Sequence, residues 1–105
     1  MAPAVFQILI ALADQPLHGY GIMLDIAERS DGKVKLSPGT LYGSIKQMLE
    51  DGLIEEVARR PADDDERRRY YRITPHGTAI AKAETRRLGQ LVKMARAVGF
   101  APSKA

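Results

Sequence analysis

Residues 36 to 54 carry a helix whose beginning and end are both written in backbone chemistry, and the rest of the chain has to be built around it. Leu36-Ser37-Pro38-Gly39-Thr40-Leu41-Tyr42 opens it: the Ser37 hydroxyl can accept from the free N–H groups of a first turn, and Pro38 has the φ that a first helical position needs. Asp51-Gly52-Leu53-Ile54 closes it, with a glycine where a left-handed residue ends a helix and an apolar pair that starts an extended run. Projected at about 100° per residue, Leu41, Ile45, Met48 and Leu49 form one apolar stripe. Gly39, Thr40, Gly43, Lys46 and Gln47 gather on the face away from it, flanked by Tyr42 and Ser44. That outer face is small and polar near its amino end, which lets the backbone come close to a phosphate or a base edge.

The flanking segments have equally plain patterns. Val5, Ile8, Leu9 and Leu12 recur at helical spacing while Phe6, Ile10 and Ala13 load the opposite face, so this first helix must be covered on both sides. Asp14-Gln15-Pro16-Leu17 breaks it. A second helix runs from about His18 to Arg29 with Ile22, Met23 and Ile26 as its stripe, and Ser30-Asp31-Gly32 ends it. Lys33 to Leu36 is short enough for only a turn or stub strand, with Lys33 and Lys35 as phosphate contacts or a solvated turn. After the third helix, two extended segments, roughly Leu53 to Arg59 and Arg68 to Thr74, enclose Pro61-Ala62-Asp63-Asp64-Asp65-Glu66 as a hairpin with a long tip. The two-residue period turns Val57, Tyr71 and Ile73 inward and Arg68, Tyr70 and Arg72 outward. Thr74-Pro75 starts a last helix that reaches about Val98, before Gly99.

The order of elements is that of a mainly α fold with a small β-hairpin: a winged helix-turn-helix over residues 1–75, a C-terminal dimerisation helix over 76–100 and a flexible tail over 101–105. A chain of 105 residues forms one small domain with a modest core. Leu88, Leu91, Val92, Met94, Ala95 and Val98 give the last helix a wider apolar band than such a domain covers, so it calls for a partner. The first helix, through Val5, Ile8 and Leu9, is the expected counterpart across a two-fold axis.

Cysteine is absent, which excludes disulfides and thiolate metal sites and suits a reducing cytoplasm. The amino terminus lacks the positive flank of a signal peptide, and the apolar stretch to Ala13 is too short to span a membrane. The net charge is only +3, but the pI is about 9.4 and the arginines are clustered: Arg59, Arg60, Arg67, Arg68, Arg69 and Arg72 fall within fourteen residues. The Asp63-Asp64-Asp65-Glu66 run between them partly offsets this charge and has neither the glycine nor the ligand spacing of a calcium loop. His18 and His76 stand without carboxylates at ligand spacing; His18 is better placed to serve the first turn of the second helix. No nucleophile with a base, phosphate-cradling loop or spaced carboxylate pair is present, so neither an enzyme nor a cofactor is expected.

Ile8 to Leu12 with Pro16-Leu17-His18-Gly19-Tyr20-Gly21-Ile22, then Leu36 to Tyr42, Leu49-Glu50-Asp51-Gly52-Leu53-Ile54, and Arg69 to Thr74 with Gly77, resemble the PadR family of bacterial transcriptional regulators over roughly residues 5 to 80. The resemblance implies a homodimeric protein, commonly a repressor, whose third helix enters the major groove of double-stranded DNA while the wing follows the backbone. Ser37, Gly39, Thr40, Tyr42 and Lys46 fall where the family's recognition helix meets DNA; Gly43 and Gln47 share that face, and Arg67, Arg68, Arg69 and Arg72 fall on phosphates. A near-palindromic operator would follow from the two-fold axis. Longer members carry further terminal helices that form their ligand sites, so no small-molecule effector is assigned here. The same fold also serves as a protein-contact module without sequence-specific DNA binding, and that is the alternative reading.

Overall fold

In the computed structural model, which describes residues 1–58 and 68–100, the central helix forms as its ends dictate. It is α3, Pro38–Glu50, and the Ser37 Oγ accepts from the Thr40 N–H at 3.2 Å. At the other end Gly52 takes φ +72°, and the Leu53 and Gly52 N–H groups return to the carbonyls of Met48 and Leu49 at 3.0 and 3.2 Å. The two bonds satisfy carbonyls that the helix leaves open and turn the chain into the next strand. Leu41, Ile45 and Met48 are fully buried, whereas Leu49 remains 37% exposed. Leu49 was expected in the stripe, but it lies about 80° from Leu41 around the helix and rides on the stripe's edge.

Preceding α3 are α1, Pro3–Ala11, and α2, Gly19–Arg29. Following it come β2, Ile54–Glu56, β3, Tyr70–Ile73, and the long α4, Pro75–Ala97. Lys33 to Leu36 forms no strand; it is held as a turn by the Ser30 hydroxyl, which accepts from the Val34 N–H at 2.9 Å. One strand was not expected: Leu17–His18 is β1, paired antiparallel with β3 so that Leu17 faces Tyr71 and His18 faces Tyr70. The sheet order is β1-β3-β2, with Ile54 opposite Ile73 and Glu55 opposite Arg72. Tyr71 is buried and Val57 and Ile73 half-buried, as the alternation requires. Tyr70, expected outward, is half-buried, because β1 brings the His18 ring edge-on to it at 5.2 Å between centroids. Arg59, Arg60, Arg67, the acidic run from Asp63 to Glu66 and the 101–105 tail lie outside the described residues.

The core is the inner side of α1, α2 and α3 closed by the sheet: Ile8, Leu9, Leu12, Ile22, Ile26, Leu41, Met48 and Ile54 are each under 2% exposed or at 2%. Removing this area from water is the main driving force of the fold. The joint between wing and α4 is tight. The Thr74 Oγ1 accepts from the Gly77 N–H at 2.9 Å and donates toward the Gly52 and Leu53 carbonyls. A Cβ on Gly77 would fall on the Leu53 carbonyl oxygen, so only glycine fits there.

Candidate nucleic-acid interface

α2, the turn after it and α3 hold the candidate face. Gly39, Thr40, Gly43, Lys46 and Gln47 are all exposed, as is Ser37. A Cβ built on Gly39 or Gly43 would meet nothing within 4 Å, so both positions leave bare backbone facing solvent. Thr40 and Ser37 share a hydroxyl contact at 3.1 Å, and the Gln47 amide donates to Asp51 at 3.1 Å. The face therefore offers hydroxyls, an ammonium and an amide on a rigid, capped helix whose other side is locked into the core.

Tyr42 stands beside this face, 52% exposed, with its ring laid over Gly19: a Cβ there would lie 2.9 Å from ring carbons and 2.5 Å from the hydroxyl. The pairing explains the glycine at the start of α2. His18 caps that helix, its Nδ1 accepting from the Gly21 N–H at 2.9 Å, while Nε2 stands 3.0 Å from the Arg68 guanidinium. Tyr42, His18, Gly19, Tyr20, Arg68, Arg69 and Tyr71 line a cleft of about 280 Å³ between α3 and the wing. Burial pushes the Tyr71 hydroxyl above its ordinary range, with the Glu56 carboxylate adding to it, so that hydroxyl stays protonated. Sequence reasoning had Tyr42 and Arg68 but not this cleft, because it depends on β1 bringing His18 to the wing.

Of the expected wing contacts, Arg68, Arg69 and Arg72 are exposed and Arg67 lies outside the described residues. Arg72 is bonded to Glu55 at 3.1 Å across the β2–β3 pair, and Arg69 lies 4.0 Å from Glu56. Such exposed pairs are worth roughly 0–1 kcal/mol and can be exchanged for another anion. The acidic partners come from β2, and which arginine each one meets is decided by the hairpin register.

α4 divides into two parts. Its first turns pack on the body through Gly77, Ile80 and Ala81, and Glu84 is buried, its two oxygens accepting from Arg87 at 2.7 and 2.8 Å. Those bonds hold the Glu84 carboxyl below its ordinary range. Beyond it, Leu88 and Ala95 are half-covered, whereas Leu91, Val92, Met94 and Val98 are 44–66% exposed. An apolar groove of about 530 Å³ runs between α1 and α4 along Phe6, Ile10, Ala13, Ala81 and Thr85. The expected use of Ile8 and Leu9 as outward contacts is corrected by their burial at 0% and 1% in the protomer's own core; Val5 is half-buried against that core, and the outer side of α1 is Phe6 and Ile10, with Ala13 just past its end.

Among the described residues no group of three or more side chains is placed to hold a metal ion, and no helix is long and apolar enough to cross a membrane. Residues 8–83 match the transcriptional regulator PadR-like family. A transcriptional regulator of Mycobacterium tuberculosis is 33% identical over 86 residues, 82% of this chain and 76% of that protein. A 37.1 kDa protein of a Streptomyces fradiae transposon is 34% identical over 84 residues, and there the match spans 80% of this chain but only 22% of the relative's length. Among solved structures, a PadR family regulator from Clostridium difficile superposes with a TM-score of 0.78 at 22% identity, covering 92% of this chain and 98% of that one. Bacillus subtilis PadR, solved in complex with operator DNA, superposes with a TM-score of 0.69 at 20% identity over 81% of this chain and 48% of its own. At these identities the structural likeness is one of fold: a winged helix with a terminal helix suited to dimerisation. The match over 8–83 and the Mycobacterium relative together place the chain in the PadR-like family of transcriptional regulators.

Proposed function

We propose that the protein is a sequence-specific DNA-binding repressor that grips a near-palindromic operator as a homodimer, with α3 in the major groove and the wing on the backbone. The observation that carries this reading is the outer face of α3, where Gly39, Thr40, Gly43, Lys46 and Gln47 are exposed on a helix anchored by a buried stripe. A major groove about 12 Å wide admits such a helix, and the two glycines let its backbone approach the base edges. Solution of the Bacillus subtilis relative with operator DNA supports the same role here. Dimerisation rests on the uncovered side chains of α4 from Leu91 to Val98, which the groove between α1 and α4 of a second copy would cover.

Selection of operators from random duplex, followed by titration against operator and random sequence, tests the proposal. Thr40→Ala or Lys46→Ala is expected to weaken operator binding by about 1–3 kcal/mol if a base contact is lost, and all sequences alike if the contact is to phosphate. Replacing Arg67, Arg68 and Arg69 by alanine should flatten the dependence of log affinity on log salt by about 0.9 per phosphate contact. Unchanged affinity in the α3 variants, with no steep salt slope, would return the fold to a protein-contact role.

A further inference from the structure

α4 carries five of the chain's sixteen lysines and arginines but only one of its thirteen acidic residues, so the helix stands at +4 and the rest of the chain, with eleven cations and twelve carboxylates, at −1. The one acid, Glu84, is buried and bonded to Arg87. Projected at about 100° per residue, Lys82, Arg86, Gly89, Lys93 and Arg96 fall within about 80° of one another, on the side opposite Leu91 and Ala95. All five are exposed, and Lys82, Arg86 and Lys93 have no hydrogen bond or ion pair with any described residue. A helix that merely faces water usually interleaves glutamates with its lysines four residues apart; Lys82 and Arg86 at that spacing repel each other instead. Gly89, in the middle of the stripe, is the second sign. A Cβ there would meet nothing within 4 Å, so packing inside the protomer does not call for glycine, which costs helix stability relative to alanine. What it provides is bare backbone between cations, as Gly39 and Gly43 provide it on α3.

We propose that this stripe is a second, sequence-independent duplex-binding surface, which holds a stretch of DNA other than the one on α3. The ligand is a phosphate backbone because the stripe offers cations and bare backbone with no apolar centre, whereas a docked protein would need a dry apolar core. A bilayer would take the apolar side of α4 and leave these cations pointing into water. Lys82 and Arg96 stand about 21 Å apart along the axis at about 1.5 Å per residue, a run that passes about six phosphates of one strand. α1 packs between α3 and α4, so the outer faces of those two helices look out from different sides of the protomer and take different duplexes. Lys82 and Arg86 border the α1–α4 groove, and the stripe runs from that rim to the last turn of the helix. A protein with operator on α3 and any other DNA on α4 bridges two segments. The bridge rests on the DNA-binding reading of α3; the α4 surface does not.

The test saturates the protein with the selected operator and then titrates in a short random duplex that carries a fluorophore. Wild type should take up this second duplex. The triple variant Lys82→Gln, Arg86→Gln and Lys93→Gln should bind it about ten-fold or more weakly, with a salt slope lower by about 0.9 per cation removed, while its operator affinity stays as in wild type. The three side chains are exposed, so a melting temperature that does not fall shows that the variant folds. Gly89→Leu should raise the melting temperature and still weaken the second duplex. A wild type that takes up no second duplex, or a triple variant that takes it up equally, overturns the surface, and so does uptake of phosphatidylglycerol vesicles in its place. If no operator is selected, random duplex alone separates the two claims. A salt slope lowered in the triple variant but not in Lys46→Ala keeps the α4 surface and drops the reading of α3, whereas a slope that the triple variant leaves unchanged overturns the surface.

Discussion

α3 and the second half of α4 are both amphipathic helices of one short chain, yet they dispose of their apolar residues in opposite ways. Leu41, Ile45 and Met48 are no more than 2% exposed, while Leu91, Val92, Met94 and Val98 keep about half or more of their surface in water. The first stripe is used up inside the protomer, so what α3 shows outside is available to choose a ligand. The second is surplus to the protomer, and it is the area that the proposed dimer would cover.

The sharpest way to break this contrast is to truncate one methionine on each helix. Met48→Ala should cost about 2–5 kcal/mol in denaturant unfolding at any protein concentration, because it leaves a cavity in a closed core. Met94→Ala, at a site 62% exposed, should leave a dilute protomer's stability almost unchanged and instead lower the melting temperature at high concentration, where association contributes. Equal losses in the two variants would erase the distinction.

The two N-caps sharpen it further. Ser37 only caps α3, whereas Thr74 caps α4 and also donates toward the Gly52 and Leu53 carbonyls that join wing to helix. Ser37→Ala should therefore cost about 0.5–2 kcal/mol and Thr74→Ala clearly more, read as shifts in the denaturation midpoint. The reverse order would mean that the α4 joint is looser than its geometry.

The smallest effect expected is at Glu84, where the packed and uncovered parts of α4 meet. Bonding to Arg87 holds its carboxyl below the ordinary 4.5, so its contribution is present above that value and is lost as pH falls through the lower folded-state value. Glu84→Gln should lower the melting temperature at neutral pH and converge with wild type in acid. A constant offset across the whole pH range would contradict this assignment.

Much of this was legible in the chain because the relevant physics is local. Ser37-Pro38 and Asp51-Gly52 mark helix ends within four residues, and the α3 stripe follows from angle alone. What escaped depends on contacts distant in sequence. β1 is two residues long, too short to show a period, and exists only because β3 lies beside it. The His18–Arg68 cleft inherits that dependence. Ile8 and Leu9 could be placed on a face of α1, but which face met the core was decided by α2 and α3. Glu55 could not be matched with Arg72 until the hairpin register was known.

In the proposed assembly two copies join through α4 and so present two α3 helices to one operator. Sedimentation equilibrium at micromolar concentration measures this directly. A single species of twice 11.6 kDa is expected for wild type, and for Leu91→Asp a folded species of 11.6 kDa that no longer binds the selected operator. A wild-type protein that sediments at 11.6 kDa and still binds that operator at full affinity would contradict it.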